Sequence, residues 1–195
     1  MNLARINQAL ADAYPDREAI VTPSRRITYG ALAEAARRLA SVLHAQGLGC
    51  RRERAGLANH ESGQDHVGLY MLNAPEYIES MLGCFRARVA PFNVNYRYVD
   101  DELVYLLTDS DAAGLVYHAR YAPTLARIRS RLPKLRVLLQ VDDGSGEPLL
   151  PGALDYAQTL AAASPAGPTV EPSPDDLYIL YTGGPAGDAP ATARA

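Results

Sequence analysis

Four segments of this chain are apolar at nearly every position and have the length of a strand: "VGLYML" (67–72), "AAGLVYH" (112–118), "LRVLLQV" (135–141) and "LYILY" (177–181). A strand with one wet face alternates apolar and polar residues. These segments do not alternate, so both of their faces must be covered. Between them the apolar residues change period. Leu32, Ala36, Leu39 and Leu43 are spaced four, three, four, and Ile78, Leu82, Phe85 and Val89 repeat that spacing. Such spacing places each set on one side of a helix. Two-sided strands alternating with one-sided helices predict an α/β fold, a doubly wound, largely parallel sheet flanked by helices.

The remaining segments fit around that frame. Leu3 to about Tyr14 reads as a short amphipathic helix stopped by Pro15, and Ala19–Val21 with Arg26–Tyr29 as two short strands about a Pro-Ser turn. Gly47 and Gly49 end the helix begun near Leu32. Cys50 to His66 is polar and weakly periodic, an excursion from the core, in which His60 and His66 are expected at the solvated surface. Asn73 with Glu76 has the spacing of a capping box. Asp100 is placed to cap a helix carrying Leu103, Leu106 and Leu107, and Pro123 to sit in the first turn of one carrying Leu125, Ile128 and Leu132. A further helix is expected over about 153–163, followed by the Pro-rich connector "SPAGPTVEPSP".

Length and charge narrow the function classes. The 195 residues, with 48% apolar content, suffice for one domain with a real core. A net charge of −3 gives no electrostatic footprint for nucleic acid. Cys50 and Cys84 have no Cys or His at ligand spacing, so neither a disulfide framework nor a metal set is expected. With no apolar run of signal-peptide or membrane-span length, the prediction is a soluble, cytoplasmic protein. The "RR" and "RRER" runs are expected to be a solvated helix face and an exposed turn. Most of the tyrosines are expected to bury their rings between sheet and helices.

The last apolar strand runs directly into Thr182, Gly183 and Gly184. Hydroxyl and glycine chemistry at a strand end builds a tight turn whose main-chain N–H groups can approach an anion. Neither Gly-x4-Gly-Lys nor Gly-x-Gly-x-x-Gly surrounds Gly183, which removes the main support for kinase and dehydrogenase readings.

"DDLYILYTGG" resembles the phosphate-loop signature of the adenylate-forming, AMP-binding superfamily. "AYPDREAIV", "RITYGALAEAARRLASVLHAQGLG", "GLYMLNAPEYIESMLGCFRARVAPFNVNYRY" and "DELVYLLTDSDAAGLVYHARY" resemble other segments of that superfamily in the same order. "VAPFNVNYRY" and the charged insert are most similar to acyl-CoA synthetases of the fatty-acid and steroid side-chain type. The resemblance covers about residues 3 to 184 and implies the N-terminal subdomain of that fold, with 50–66 as a polar insert. It implies that Thr182, Gly183, Gly184 and Gly187 belong to an ATP phosphate loop. It also implies a reaction using ATP, Mg and CoA, in which a fatty or steroid carboxylic acid becomes an acyl-adenylate and then a thioester.

The resemblance breaks after Gly184. Pro185 and Ala186 stand where the family has two hydroxyls. Its Pro-Lys-Gly falls on Ala189, Pro190 and Ala191, and the chain's one lysine is Lys134. Residues 185–195 therefore read as a tail foreign to the family and without structure. The expectation is a ligase chain truncated within the phosphate loop and inactive alone, with no catalytic or metal-binding residue to assign and none of ATP, Mg or CoA bound tightly by this chain. Two alternatives stand beside it: a non-catalytic module that pairs with a separately encoded remainder or with itself, and a free-standing nucleotide-binding domain.

Overall fold

A computed structural model describes residues 2–181 and the backbone of 192–194. The chain begins with helix α1 (Leu3–Ala13), capped by the Asn2 side chain, and a separate antiparallel hairpin, β1 (Glu18–Val21) and β2 (Arg26–Thr28). Then follow α2 (Tyr29–Ala45), β3 (His66–Tyr70), α3 (Pro75–Arg86), β4 (Ala90–Asn93), α4 (Asp100–Asp109), β5 (Ala112–His118), α5 (Ala122–Ile128), β6 (Val137–Val141), β7 (Leu154–Asp155), α6 (Tyr156–Ala162) and β8 (Tyr178–Leu180). A last strand, β9, covers Thr192–Arg194.

The main sheet has seven strands in the order β7-β6-β5-β3-β4-β8-β9. Every pair from β7 to β8 is parallel, and β9 alone runs antiparallel, against β8. This is the doubly wound α/β architecture expected from the continuous strands. Alternate strand residues enter two different cores. Val67, Leu69, Val116, Val137 and Leu139 pack with α2, α3 and α6. Tyr70, Leu115, Tyr117 and Leu138 pack with α4 and α5 on the other face. Each strand is therefore apolar throughout because it serves both layers.

The first layer is tight. A Cβ on Gly83 of α3 would lie 2.7 to 2.9 Å from three side-chain atoms of Leu39 on α2, so the two helix backbones approach across a glycine. Segment 50–66 leaves the core as an excursion closed at its base by the bridge Cys50↔Gln64 and by the Gly63 carbonyl, which accepts from the Arg51 and Arg52 amides.

Several local expectations are corrected. Asn73 does not cap α3: Ala74 holds the cap position with no side-chain bond and Pro75 begins the helix. Asp100 is the first helical residue of α4, and Val99 is the cap, with the Glu102 carboxylate accepting from the Val99 N–H at 3.2 Å. The helix expected from 153 is preceded by β7 and starts at Tyr156, where Asp155 accepts from the Gln158 amide at 2.8 Å. His66 is half-buried in β3, with Nδ1 at 2.5 Å from the Ser110 carbonyl oxygen and Nε2 at 2.7 Å from the Ser62 hydroxyl. Of the stretch read as structureless, residues 192–194 form β9. The open edge of β8 offers unpaired N–H and C=O groups that an extended segment can satisfy.

Candidate nucleotide-binding site

In open sheets of this kind ligands bind beyond the carboxyl ends of the strands. The carboxyl ends of β3, β4 and β8 open into one cleft of about 430 Å³, lined by Met71, Asn73 and Tyr77 after β3, by Asn93 to Tyr96 after β4, and by Tyr181 after β8. That volume lies within the range of small-molecule sites. Asn73, Asn93 and Asn95 are exposed there and present neutral amides, while Met71 and Val94 form a buried apolar floor.

The walls are fixed by tyrosines. Tyr70 stacks on Tyr121 with ring centroids 4.1 Å apart, and its hydroxyl donates to the Tyr98 carbonyl at 2.8 Å. Burial pushes the Tyr70 phenol up to about 12, so it remains a neutral donor. Tyr181 donates to the Asp109 carboxylate at 2.8 Å, and burial together with that bond raises its pKa. The end of β8 is thereby tied to α4. Three of the twelve tyrosines, Tyr70, Tyr117 and Tyr156, are buried, so fewer rings are enclosed than the sequence suggests.

Thr182, Gly183, Gly184 and Gly187, the predicted phosphate-loop residues, lie outside the described residues. The structure describes the strand leading to them, and Tyr181 immediately precedes Thr182 at the cleft. The cleft itself carries little positive charge. Arg97 sits over the Tyr96 ring at 5.4 Å from its centroid, and no other guanidinium is placed near it by the described contacts. Lys134 pairs with Asp111, the residue before β5, at 2.5 Å, and so lies at the opposite, amino end of the sheet. Among the described residues no group of three or more His, Cys, Asp or Glu could hold a metal ion.

The arginine runs are spent on structure. Arg38 donates to the Leu160, Ala161 and Ala163 carbonyls at 3.3, 3.2 and 2.7 Å, closing the C-terminal end of α6, where a cation suits the helix dipole. Arg51 pairs with Asp65 at 2.8 Å and Arg52 with Glu61 at 3.5 Å.

Two polar features near the sheet escaped the sequence reading. His118, at the end of β5, is buried. Its Nδ1 accepts from the Leu72 amide at 3.3 Å and lies 3.9 Å from the Asp143 carboxylate, which also binds Arg120. Burial lowers the His118 pKa, against the opposite pull of Asp143. At the amino end of β8, the Asp176 carboxylate is 1% exposed and bonded on both oxygens. The only sequence signal for it is the acidic pair Asp175-Asp176 just before an apolar strand.

The comparisons with known proteins agree with this geometry. The model of the AMP-binding enzyme family matches residues 7–189. The chain is 56% identical over 182 residues to the medium-chain acyl-CoA ligase Mig of Mycobacterium avium, covering 93% of this chain and 33% of that protein. It is 36% identical over 188 residues to the 3-oxocholest-4-en-26-oate–CoA ligase of Rhodococcus rhodochrous, covering 96% of this chain and 32% of that one. It thus spans about a third of the length of the curated relatives it matches. Its fold superimposes on the N-terminal domain of FACL13 from Mycobacterium tuberculosis with a TM-score of 0.80 at 25% identity, over 99% of this chain and 44% of that one. With the anthranilate CoA ligase AuaEII, solved with anthranoyl-AMP, the TM-score is 0.82 at 20% identity, over 99% of this chain and 34% of that one. Among the described residues no helix is long and apolar enough to cross a membrane. The chain belongs to the AMP-binding enzyme family.

Proposed function

We propose that this chain is the nucleotide-cradle portion of an ATP-dependent acyl-CoA ligase that takes a medium-chain fatty or steroid side-chain carboxylic acid to its acyl-adenylate and then to the CoA thioester. The observation that carries the reading is the placement of β8. It enters the sheet beside β4, ends at Leu180, and continues through Tyr181 on the cleft into Thr182-Gly183-Gly184 in sequence. Glycines there let backbone N–H groups approach phosphate oxygens, and the threonine hydroxyl adds a donor. The Mycobacterium avium relative is about three times longer than the region matched here. On this reading the 195 residues are expected to need the rest of such a ligase for turnover.

The test is to incubate the purified chain with ATP, Mg, CoA and a series of medium- to long-chain fatty and steroid acids. No acyl-CoA is expected from the chain alone. Sustained turnover would overturn the inactivity, and calorimetry with Mg-ATP reports whether the cradle binds nucleotide by itself. A second reading, an interaction module completed by a separately encoded remainder or a second copy, is favoured by one observation. Leu180, the last residue of β8, is 43% exposed and Tyr105 of α4 is 57% exposed. Co-purification and the mass of the native particle decide it.

A further inference from the structure

The parallel ladder between β8 and β4 is short, with Phe92↔Ile179 as its Cα register pair. So few backbone bonds specify register weakly, and a slip of one residue would move the strand by about 3.3 Å and turn its side chains to the other face. β9 pairs with β8 over three residues but lies beyond it at the sheet edge, so it does not set the stagger of β8 against β4, and another contact must.

At the opposite end of β8, the Asp176 carboxylate accepts four hydrogen bonds from four segments. Oδ1 takes the Gln64 amide at 3.3 Å and Arg88 Nε at 3.0 Å. Oδ2 takes the Asn2 amide at 3.1 Å and the Ser173 N–H at 2.7 Å. Gln64 turns back and accepts the Leu177 N–H through its own Oε1 at 2.8 Å. Gln64 lies two residues before β3 and Arg88 two residues before β4, so the carboxylate joins the amino ends of three neighbouring strands. Arg88 is itself held. Its backbone is left-handed, with φ 56°, and its remaining nitrogens clasp Glu53 at 2.6 and 2.9 Å. A buried carboxylate satisfied on both oxygens by separate elements is a rigid anchor, and its bonds to a charged partner are the strong kind.

We propose that Asp176 is a positioning residue: its clasp on Gln64, Arg88 and Asn2 sets the stagger of β8 against β3 and β4, and so fixes where the strand delivers the phosphate-loop residues. This rests on reading β8 as the phosphate-loop strand. Asparagine at 176 is a discriminating change. Both oxygens face donors, so whichever way the amide turns, its NH2 group meets two of them.

The experiment is hydrogen exchange by NMR on the full chain, comparing wild type with Asp176→Asn and with a core control, Leu125→Ala. In Asp176→Asn the Ile179 and Leu180 amides are expected to exchange roughly tenfold faster than in wild type, while Leu115 of β5 and Leu139 of β6 keep their rates, as for a local opening. The core control is expected to accelerate all four together. Arg88→Gly keeps the left-handed turn without the guanidinium and is expected to loosen β8 in the same selective way. Uniform acceleration in Asp176→Asn, or none at β8, overturns the proposal. Should Asp176→Asn fail to fold, Gln64→Ala is read by the same two outcomes. Mg-ATP titration runs alongside. It reads nucleotide binding by a loop that lacks the family's hydroxyls and lysine, and the exchange pattern decides the clasp whichever way that titration falls.

Discussion

Glu79 is a carboxylate nearly sealed from water, 6% exposed, with the Tyr156 hydroxyl donating to it at 3.1 Å and the Arg25 guanidinium forming an ion pair at 3.8 Å. Burial raises its pKa, reinforced by Glu76 and opposed by Tyr156 and Arg25. The sign of its effect on stability follows. The folded state holds the proton more tightly than the unfolded state, so this group's contribution is fully present below the unfolded value of about 4.3 and is lost as pH rises through the raised folded value. Glu79→Gln is therefore expected to gain melting temperature relative to wild type at pH 7 to 8 and to lose that advantage near pH 4. Thermal melts across that range check it, and a constant offset would refute it. Gly83 makes a steric prediction of the same grain. A Cβ there already meets Leu39 at 2.7 Å, so Gly83→Val should cost about 3 kcal/mol, the upper part of the usual penalty for overpacking a core. Neither residue announces itself in sequence. An acid inside a helix and a glycine between apolar neighbours are both common, and their burial depends on what α2 and α6 bring from elsewhere.

At the scale of elements, period was a sound guide and boundary chemistry a mixed one: Pro123 sits in the first turn of α5 as expected, while the caps of α3 and α4 fall on other residues. The four-three-four spacing located α2 and α3, and the continuous runs located β3, β5, β6 and β8, because burial on one side or two leaves its mark on every residue of a segment. Caps depend on one residue each. Asn73 fits the cap pattern, but Pro75 takes the first helical position and passes the cap to Ala74. The two-residue β7 is too short for any period. Helix α6 is seven residues long, too short to hold itself in water, and it is closed by Asp155 at one end and Arg38 at the other. Asp155→Ala is expected to cost about 1 kcal/mol, the ordinary value of a cap. Arg38→Met should cost a similar amount, since charge-assisted bonds to carbonyls are worth about 1.5–3 kcal/mol before solvent screening of an accessible side chain. Urea melts of both variants, with m unchanged, test this.

At the scale of the whole molecule, the described residues form a two-faced sheet whose cleft lies at the carboxyl ends of β3, β4 and β8. The strand that leads to the proposed phosphate loop could be read in "LYILYTGG". The clasp that holds it could not, because Asn2 and Asp176 are separated by 174 positions and only the folded sheet brings them together. Departures from the family's loop set the last prediction. Pro185 and Ala186 replace two hydroxyls, Pro190 stands at the family's lysine position, and Lys134 is committed to Asp111 at the far end of the sheet. Restoring Pro185→Thr, Ala186→Thr and Pro190→Lys would return up to three donors to a phosphate. Each bond to a charged group is worth about 1.5–3 kcal/mol, or roughly tenfold or more in rate or affinity. The test is a chimera in which residues 1–191 are joined to the remaining two-thirds of a Mig-type ligase. The unrestored chimera is expected to form acyl-CoA slowly. The triple restoration is expected to raise kcat/KM for ATP by at least about a hundredfold, with the lysine giving the largest single gain because it adds a full charge to the leaving pyrophosphate. Equal rates for the two chimeras would mean that residues 185–190 do not face the nucleotide, and the phosphate-loop assignment of Thr182, Gly183, Gly184 and Gly187 would fall with them.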